Sequence, residues 1–506
     1  MPDCARFLRF LCGKAGSVSN GGVLRMKRTN DTSPPPALRR AFDFAAAGSS
    51  RSIDALQALV RIPSLTGEEG AAQTHMVGLL EALGAETVAL ELDVKAMFER
   101  YPQVAQYPTH WQHDLILPYS ELPTYQALRD SGLETVLNYR GRPNVVGIFR
   151  GTGGGRSLIL NGHIDTVTIE PAKEWTRDPF DAEIADGLLY GRGASDMKGG
   201  LMAGLMAMTY LQQAGIELRG DVIFQSVVNE EHAGNGTLDL VRRGYDADAA
   251  IVLEPTNNRI AVSHPGGLYW QVTVPGRARS PGARWQDGAQ EGVSAIEKLP
   301  PVLEALLGLE REYNAKQNDD PTEQGRAAFS LVVGKVQGGH YETVTASEVV
   351  LRGGAYFAPG VGEIHEVMKS FRESIAASNQ GDEFLCRHPA RLEFLHHDDS
   401  TRQSPQIPIA MAMSGLLRGR QGDGDIHSGP FACDMRHLVN QGGIPSIIFG
   451  PGTIAQAHKP DEHIAIREYL DCIEHLISFI ASWCNEDAER GPAKTGHRKA
   501  PGASRL

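Results

Sequence analysis

The sequence predicts an α/β fold: a mostly parallel central sheet flanked by helices, with a smaller α+β domain inserted into it. Three observations carry this. Short apolar runs alternate with helical periods between residues 53 and 254, as expected for parallel strands joined by crossover helices. Near residue 267 the texture changes to strand, helix, two strands, helix, strand, a split β-α-β, ferredoxin-like order. Beyond residue 399 the α/β texture resumes, so the second unit interrupts the first.

The elements follow in order. Ile53, Leu56, Leu59 and Val60 repeat at helical spacing until Pro63, and Met76, Val77, Leu80 and Leu83 mark a second helix. Residues 87–93 read as a strand. Residues 94–142, rich in aromatics and proline with weak periodicity, read as an insertion or long loop. Buried strands are expected at 144–149, 157–162, 221–228 and 249–254, with helices after Asp196 and at 237–244. In the inserted unit, 268–276, 330–336, 348–357 and 391–397 read as strands. Helices are expected there at 361–377 and at 291–313, the latter interrupted by Pro300-Pro301. A helix near 408–418, a strand at 446–450 and a helix at 466–484 close the pattern. The expected organisation is therefore a disordered or mis-started extension (1–50, with Met26 as the initiator), a catalytic segment (51–266), an inserted lid (267–398), a second catalytic segment (399–485) and a disordered tail (486–506).

Composition narrows the function. With 506 residues, 41% hydrophobic and 22% charged, the chain can bury a large core without staples. It contains no run of eighteen apolar residues, which excludes a membrane-spanning helix. Its six cysteines show no C-x-x-C spacing, which points to a reducing, cytoplasmic setting and away from a thiolate zinc site. The net charge is −12, although residues 1–40 hold eight Lys/Arg against two Asp/Glu. An acidic body between basic ends repels a phosphate backbone, so nucleic acid is not expected as a partner.

The chemistry-bearing residues follow apolar strands. His163 and Asp165 follow one, Glu230 and Glu231 the next, and Glu254 a third; Asp196 precedes a helix, and His458 comes after the strand at 446–450. In open α/β sheets ligands bind at the carboxyl edge, where such side chains converge. Each residue alone has an ordinary structural reading, such as a helix cap for Asp196. Together, His163, Asp196, Glu231, Glu254 and His458 form an imidazole and carboxylate set suited to zinc, cobalt or manganese. Five ligands exceed what one catalytic zinc uses, so two divalent ions sharing a carboxylate fit better.

The blocks NGHIDTV, DGLLYGRGASDMKGG, NEEHAGNG, LEPT, SHPGG and GPG-x5-AHKPDEH resemble the acetylornithine deacetylase, succinyl-diaminopimelate desuccinylase and glutamate carboxypeptidase family of di-zinc amidohydrolases. The resemblance runs over roughly 52–484. It implies that His163 and Glu254 bind one ion, Glu231 and His458 the other, and that Asp196 bridges them. It also implies that Asp165 orients His163 and that Glu230 is the general base, taking a proton from a metal-bridging water and handing it to the leaving amine. The substrate implied is an N-acyl amino acid, with a short peptide (carboxypeptidase or dipeptidase) or mere metal or ligand binding as alternatives. A retained Glu230 argues against a binder, which needs no base. The inserted domain is implied to act as lid and to mediate a homodimer.

Two features depart from the family pattern. Where relatives carry a lid His in a G-x-x-x-H turn, this chain reads GRARS, with Ser280 at that place. Where relatives carry a lid Arg, this chain has Tyr356, and Arg352 lies four residues earlier. Asp434 and Arg436 in CDMRH resemble the family's substrate-side loop.

Overall fold

Strands buried on both faces build the central sheet. The computed structural model describes residues 35–112, 116–315, 327–420, 422 and 424–488. The eight strands are β1 (Glu86–Leu90), β2 (Asn144–Phe149), β3 (Leu158–His163), β4 (Val222–Val227), β5 (Ala249–Val252), β6 (Ile260–Ala261), β11 (Ile426–His427) and β12 (Ser446–Ile448). Their order is β1-β2-β4-β3-β5-β12-β6-β11. The middle run, β4-β3-β5-β12, is parallel, and β1 and β2 add antiparallel strands at one side. Residues β3 and β4 contribute are buried throughout, which is why each opens on an unbroken apolar run, Leu158–Leu160 and Val222–Phe224, rather than alternating. Alternate residues serve opposite faces: Leu158 and Leu160 join one apolar cluster and Ile159 the other.

Helices α1 (Pro36–Ala47), α2 (Ser49–Val60), α3 (Gly199–Gln213), α4 (Asn235–Arg242) and α7 (Ile466–Trp483) enclose this sheet. The inserted unit has strands β7 (Gly266–Pro275), β8 (Phe329–Gly338), β9 (Glu348–Phe357) and β10 (Arg391–Asp398), in the antiparallel order β8-β9-β7-β10. Helices α5 (Ala295–Ala315) and α6 (Ile364–Gln380) cover one face of it, over Trp270, Phe329, Phe357 and Phe371. The other face is left open. Both connections to the central sheet leave at one point, where Gly267 pairs with Asp398.

Four expectations need correction. Residues 36–50 are not a disordered extension: α1 buries Ala41 and Ala45 against α3 and α7. Its contact face is Leu38, Ala41, Phe42 and Ala45, a helical period that the neighbouring proline run masked. Residues 1–34 lie outside the described residues. The 94–142 segment is not simply a loop, since it forms helices at Val94–Arg100 and Tyr125–Asp130 and buries Met97, Phe98, Tyr107, Tyr119 and Tyr139. Pro300-Pro301 does not interrupt α5. Both prolines are exposed in its second turn, where each removes one i to i−4 hydrogen bond without ending the helix. Finally, the carboxyl-terminal tail begins later than residue 486, because Arg156 donates its backbone N–H to Glu486 O and Arg219 pairs with Asp487; residues 489–506 lie outside the described residues.

Candidate metal centre

The parallel strands deliver their following residues to one edge. His163 ends β3. Beyond β4, Asn229 takes a left-handed turn (φ 64°) and sets Glu230 and Glu231 back over the edge. That turn is held from the 94–142 segment: the Tyr139 hydroxyl donates to Asn229 Oδ1 (2.7 Å) and Asn229 Nδ2 donates to Thr109 Oγ1 (2.6 Å). Glu254 follows β5. Helix α3 approaches this strand closely, because a Cβ on Gly200 would lie 1.9 Å from the Leu253 carbonyl oxygen. That close approach places the Asp196 loop beside Glu254.

The loop is fixed by a residue the sequence reading had assigned no role. Glu462 accepts the backbone N–H groups of Gly193 (2.9 Å), Ser195 (2.9 Å) and Asp196 (3.0 Å) and pairs with Arg192 at 2.7 Å. Its only sequence signal was its place in the AHKPDEH block.

The side chains converge. His163 Nε2 lies 3.1 Å from Asp196 Oδ1, 3.7 Å from Glu254 Oε1 and 3.8 Å from Glu230 Oε2. His458 Nε2 lies 2.9 Å from Glu231 Oε2 and 3.6 Å from Asp196 Oδ2. The two oxygens of Asp196 thus face the two imidazoles separately. Potential ligand atoms of His163, Asp196 and Glu231, and those of His163, Glu230 and Glu254, form two groups, each within 4.8 Å.

Asp165 meets His163 and does more besides. Its backbone carbonyl lies 2.8 Å from His163 Nδ1, and its carboxylate Oδ1 lies 3.7 Å from the same nitrogen. The carboxylate also accepts the N–H groups of Glu230 (3.0 Å) and Glu231 (3.3 Å) and the Thr66 hydroxyl (2.8 Å). It orients the glutamate pair.

Electrostatics supply the test of fit for a metal. Burial pushes Glu230 well above the usual carboxylate range; His163 opposes this, and Glu254 and Asp434 add to it. Glu254 is raised in the same way, by burial and then by Asp196 against the pull of His163. Glu231 is pushed up by burial but drawn down to about 2 by His458, which Glu231 in turn raises to about 9. So many acids in one buried space require positive charge, and hard or borderline cations match these oxygen and imidazole donors. The residues fit two divalent ions.

None of the residues assigned to the substrate side belongs to the two ligand groups. Asp434 is buried, accepts the Thr237 hydroxyl (2.6 Å), and burial raises it to about 6. Arg436 pairs with Asp398 at 2.7 Å, and Asp398 pairs with His396 at 2.5 Å. Gly234 (φ +64°) makes room here, since a Cβ on it would lie 2.4 Å from Arg436 Nη2. Ser280 is exposed on a lid loop, and among the described residues no hydrogen bond ties it to the cluster.

Residues 159–482 match the sequence model of peptidase family M20/M25/M40. The chain belongs to this family. Curated relatives of this M20 chain include an N-formyl-4-amino-5-aminomethyl-2-methylpyrimidine deformylase of Bacillus subtilis (strain 168), 31% identical over 70% of this chain and 85% of the relative. A probable succinyl-diaminopimelate desuccinylase of Staphylococcus aureus (strain MRSA252) is 26% identical over 63% of this chain and 81% of that one. The solved structure of the di-peptidase Dug1p from Saccharomyces cerevisiae has a TM-score of 0.66 at 13% identity, covering 89% of this chain and 99% of that chain. The likeness in structure supports the shared fold: a central α/β sheet with an additional small domain. M20 chains are hydrolases of amide bonds.

Proposed function

We propose that this M20 chain removes an acyl group from the nitrogen of a small N-acyl amide, using two divalent ions, zinc or else cobalt or manganese. The observation that carries this reading is the position of Asp196 between two imidazole-carboxylate groups, with Glu230 beside them. His163 and Glu254 would hold one ion, Glu231 and His458 the other, and Asp196 both. The ions would supply Lewis acidity toward the amide carbonyl and make the attacking water easier to deprotonate. Glu230, its proton affinity raised by burial, accepts that proton and delivers it to the leaving nitrogen. Asp165 holds Glu230 and Glu231 in register through their backbone N–H groups. Asp434 and Arg436 shape the wall on the substrate side.

The relatives named as a deformylase and a probable desuccinylase remove acyl groups by name, which favours deacylation over peptide cleavage. The amine portion is an amino acid or an aminomethyl-bearing ring. We infer a cytoplasmic homodimer, formed along β8. Among the described residues that edge strand has no neighbour on one side, with Val332 and Val336 59% and 53% exposed, a surface that folded proteins normally cover. Ser280 would reach a catalytic centre only across such a boundary.

The test is a panel of N-formyl, N-acetyl and N-succinyl amines and dipeptides, assayed with and without chelator. Hydrolysis of N-acyl amines ahead of dipeptides, abolished by chelator and restored by zinc, cobalt or manganese, is expected. Turnover indifferent to chelator, or no amide hydrolysed at all, would overturn the reading.

A further inference from the structure

Between the open face of the lid sheet and the loop after Glu231 lies a cavity of about 290 Å³, bordered by His232 on the catalytic side. Its walls have two characters. Ile116 and Leu395 are apolar, and the rings of Tyr269 and His396 lie 5.3 Å apart, a surface suited to a flat ring. Lys335 and Arg352 supply positive charge.

That charge is oriented. Arg352 on β9 stands opposite Gln271 on β7 and opposite Lys335 on β8. Gln271 Nε2 donates to Glu393 (3.2 Å), which turns its Oε1 toward Arg352 to accept from Nε (2.7 Å). The Nη groups of Arg352 and the Lys335 ammonium have no carboxylate partner among the described residues. Two adjacent cations without counter-ions, in a chain of net charge −12, favour an anion.

Position along the strand fixes how far this anion sits from the metal centre. Tyr356 and Arg352 share one face of β9, four residues and so about 13 Å apart. Tyr356 lies at the root end of β9, where Gly267 pairs with both Tyr356 and Asp398, and is within electrostatic reach of Glu230 and Glu231; Arg352 lies farther out along the strand.

We propose that this cavity takes the amine side of the substrate: a flat aromatic or heteroaromatic ring held beside Tyr269 and His396, with a carboxylate or phosphate substituent gripped by Arg352 and Lys335. The proposal rests on the acyl-amide reading above and names the substrate class for it. An anion attached directly beside the scissile amide would fall short of Arg352; one carried on the far side of a ring would reach it.

The experiment is calorimetric binding to the full, metal-loaded chain. The probes are 4-(aminomethyl)benzoate, the corresponding phosphonate and 4-methylbenzylamine; all three carry the same ammonium group, and the last is the reference that is neutral at the far end of the ring. At least one anionic probe should bind about ten- to hundredfold tighter than the neutral one, the size of a charge-assisted contact, and the stronger of the two identifies the anion. Arg352→Gln should bring the anionic probes down to the neutral one, and Lys335→Gln should do so in part. Both side chains are exposed, so neither change threatens folding. Equal affinity for all three probes, or a preference that survives Arg352→Gln, would overturn the proposal. Hydrolysis of the three N-formyl derivatives separates the two readings. If none is cleaved while Arg352-dependent binding persists, the subsite stands and the acyl-amide reading falls. If all are cleaved and bound alike, the reverse holds.

Discussion

The carboxyl edge of the central sheet and the open face of the lid sheet are both made of strand residues, yet they are built on opposite terms. At the edge, His163, Asp165, Asp196 and Glu254 are buried, and each is held by backbone or side-chain contacts. On the lid face, Tyr269, Arg352 and Tyr356 are exposed, and a single Gln271 links the charges. A reaction centre needs groups fixed at a few tenths of an ångström, because misplacement costs rate steeply. A recognition face can be sparse, because its partner is supplied by the substrate. The edge therefore follows the family blocks and the lid face departs from them.

The strongest attack on the edge is at its base. Glu230→Gln keeps the size and some hydrogen bonding but cannot accept a proton. We expect kcat to fall about 10²–10⁴-fold, while metal analysis still finds two equivalents bound. Near-normal turnover in that variant would remove Glu230 from the proposed role and leave the edge as a binding site alone.

A smaller effect is expected from the support behind the ligands. Glu462 touches no candidate ligand atom, but it fixes the backbone of Asp196 through three N–H groups. Partners of this kind are commonly worth about 10–100-fold in metal affinity. Glu462→Gln should weaken metal binding by that amount, read by competition with a chromophoric chelator, and activity should recover in excess metal. Because the Arg192–Glu462 pair is buried, thermal melting of the metal-free variant is measured beside it. A variant that melts like the parent and binds metal equally well would show that the loop holds Asp196 unaided.

How legible each region was follows from the same contrast. His163, Glu230, Glu231 and Glu254 were readable because each directly follows an apolar run, and strand ends in a parallel sheet share an edge. Glu462 was not: it acts on a loop some 266 residues earlier in the chain, and no period or spacing links the two. Asn229, Tyr139 and Thr109 were hidden for a related reason. The 94–142 segment packs through scattered aromatics, so its role as a buttress leaves no periodic trace. Helix α1 was missed although Leu38, Ala41, Phe42 and Ala45 repeat at helical spacing, because the prolines at 34–36 read as a flexible lead-in. On the lid, Arg352 looked misplaced until the register set it between Gln271 and Lys335.

The subtlest expected effect lies where the two regions join. At the root of the lid, His397 on β10 is buried, with its Nδ1 at 2.7 Å from the Tyr119 hydroxyl, and burial and then His396 hold it down to about 4, against the pull of Asp398; His365 also faces it. His264 is likewise brought to about 4, chiefly by burial. An unfolded chain protonates such imidazoles near 6.5, but the folded one resists until about 4. Their contribution to stability is therefore complete above pH 6.5 and is lost as pH falls toward 4, at roughly 1.4 kcal/mol per pH unit for each imidazole. Denaturant melts at pH 7.5, 6 and 5 should show this decline, and His397→Gln should flatten it. The glutamine can still meet Tyr119 but takes up no proton. If the parent and His397→Gln lose stability at the same rate, the lid root is not where acid acts, and the edge, with its raised carboxyls, becomes the place to look.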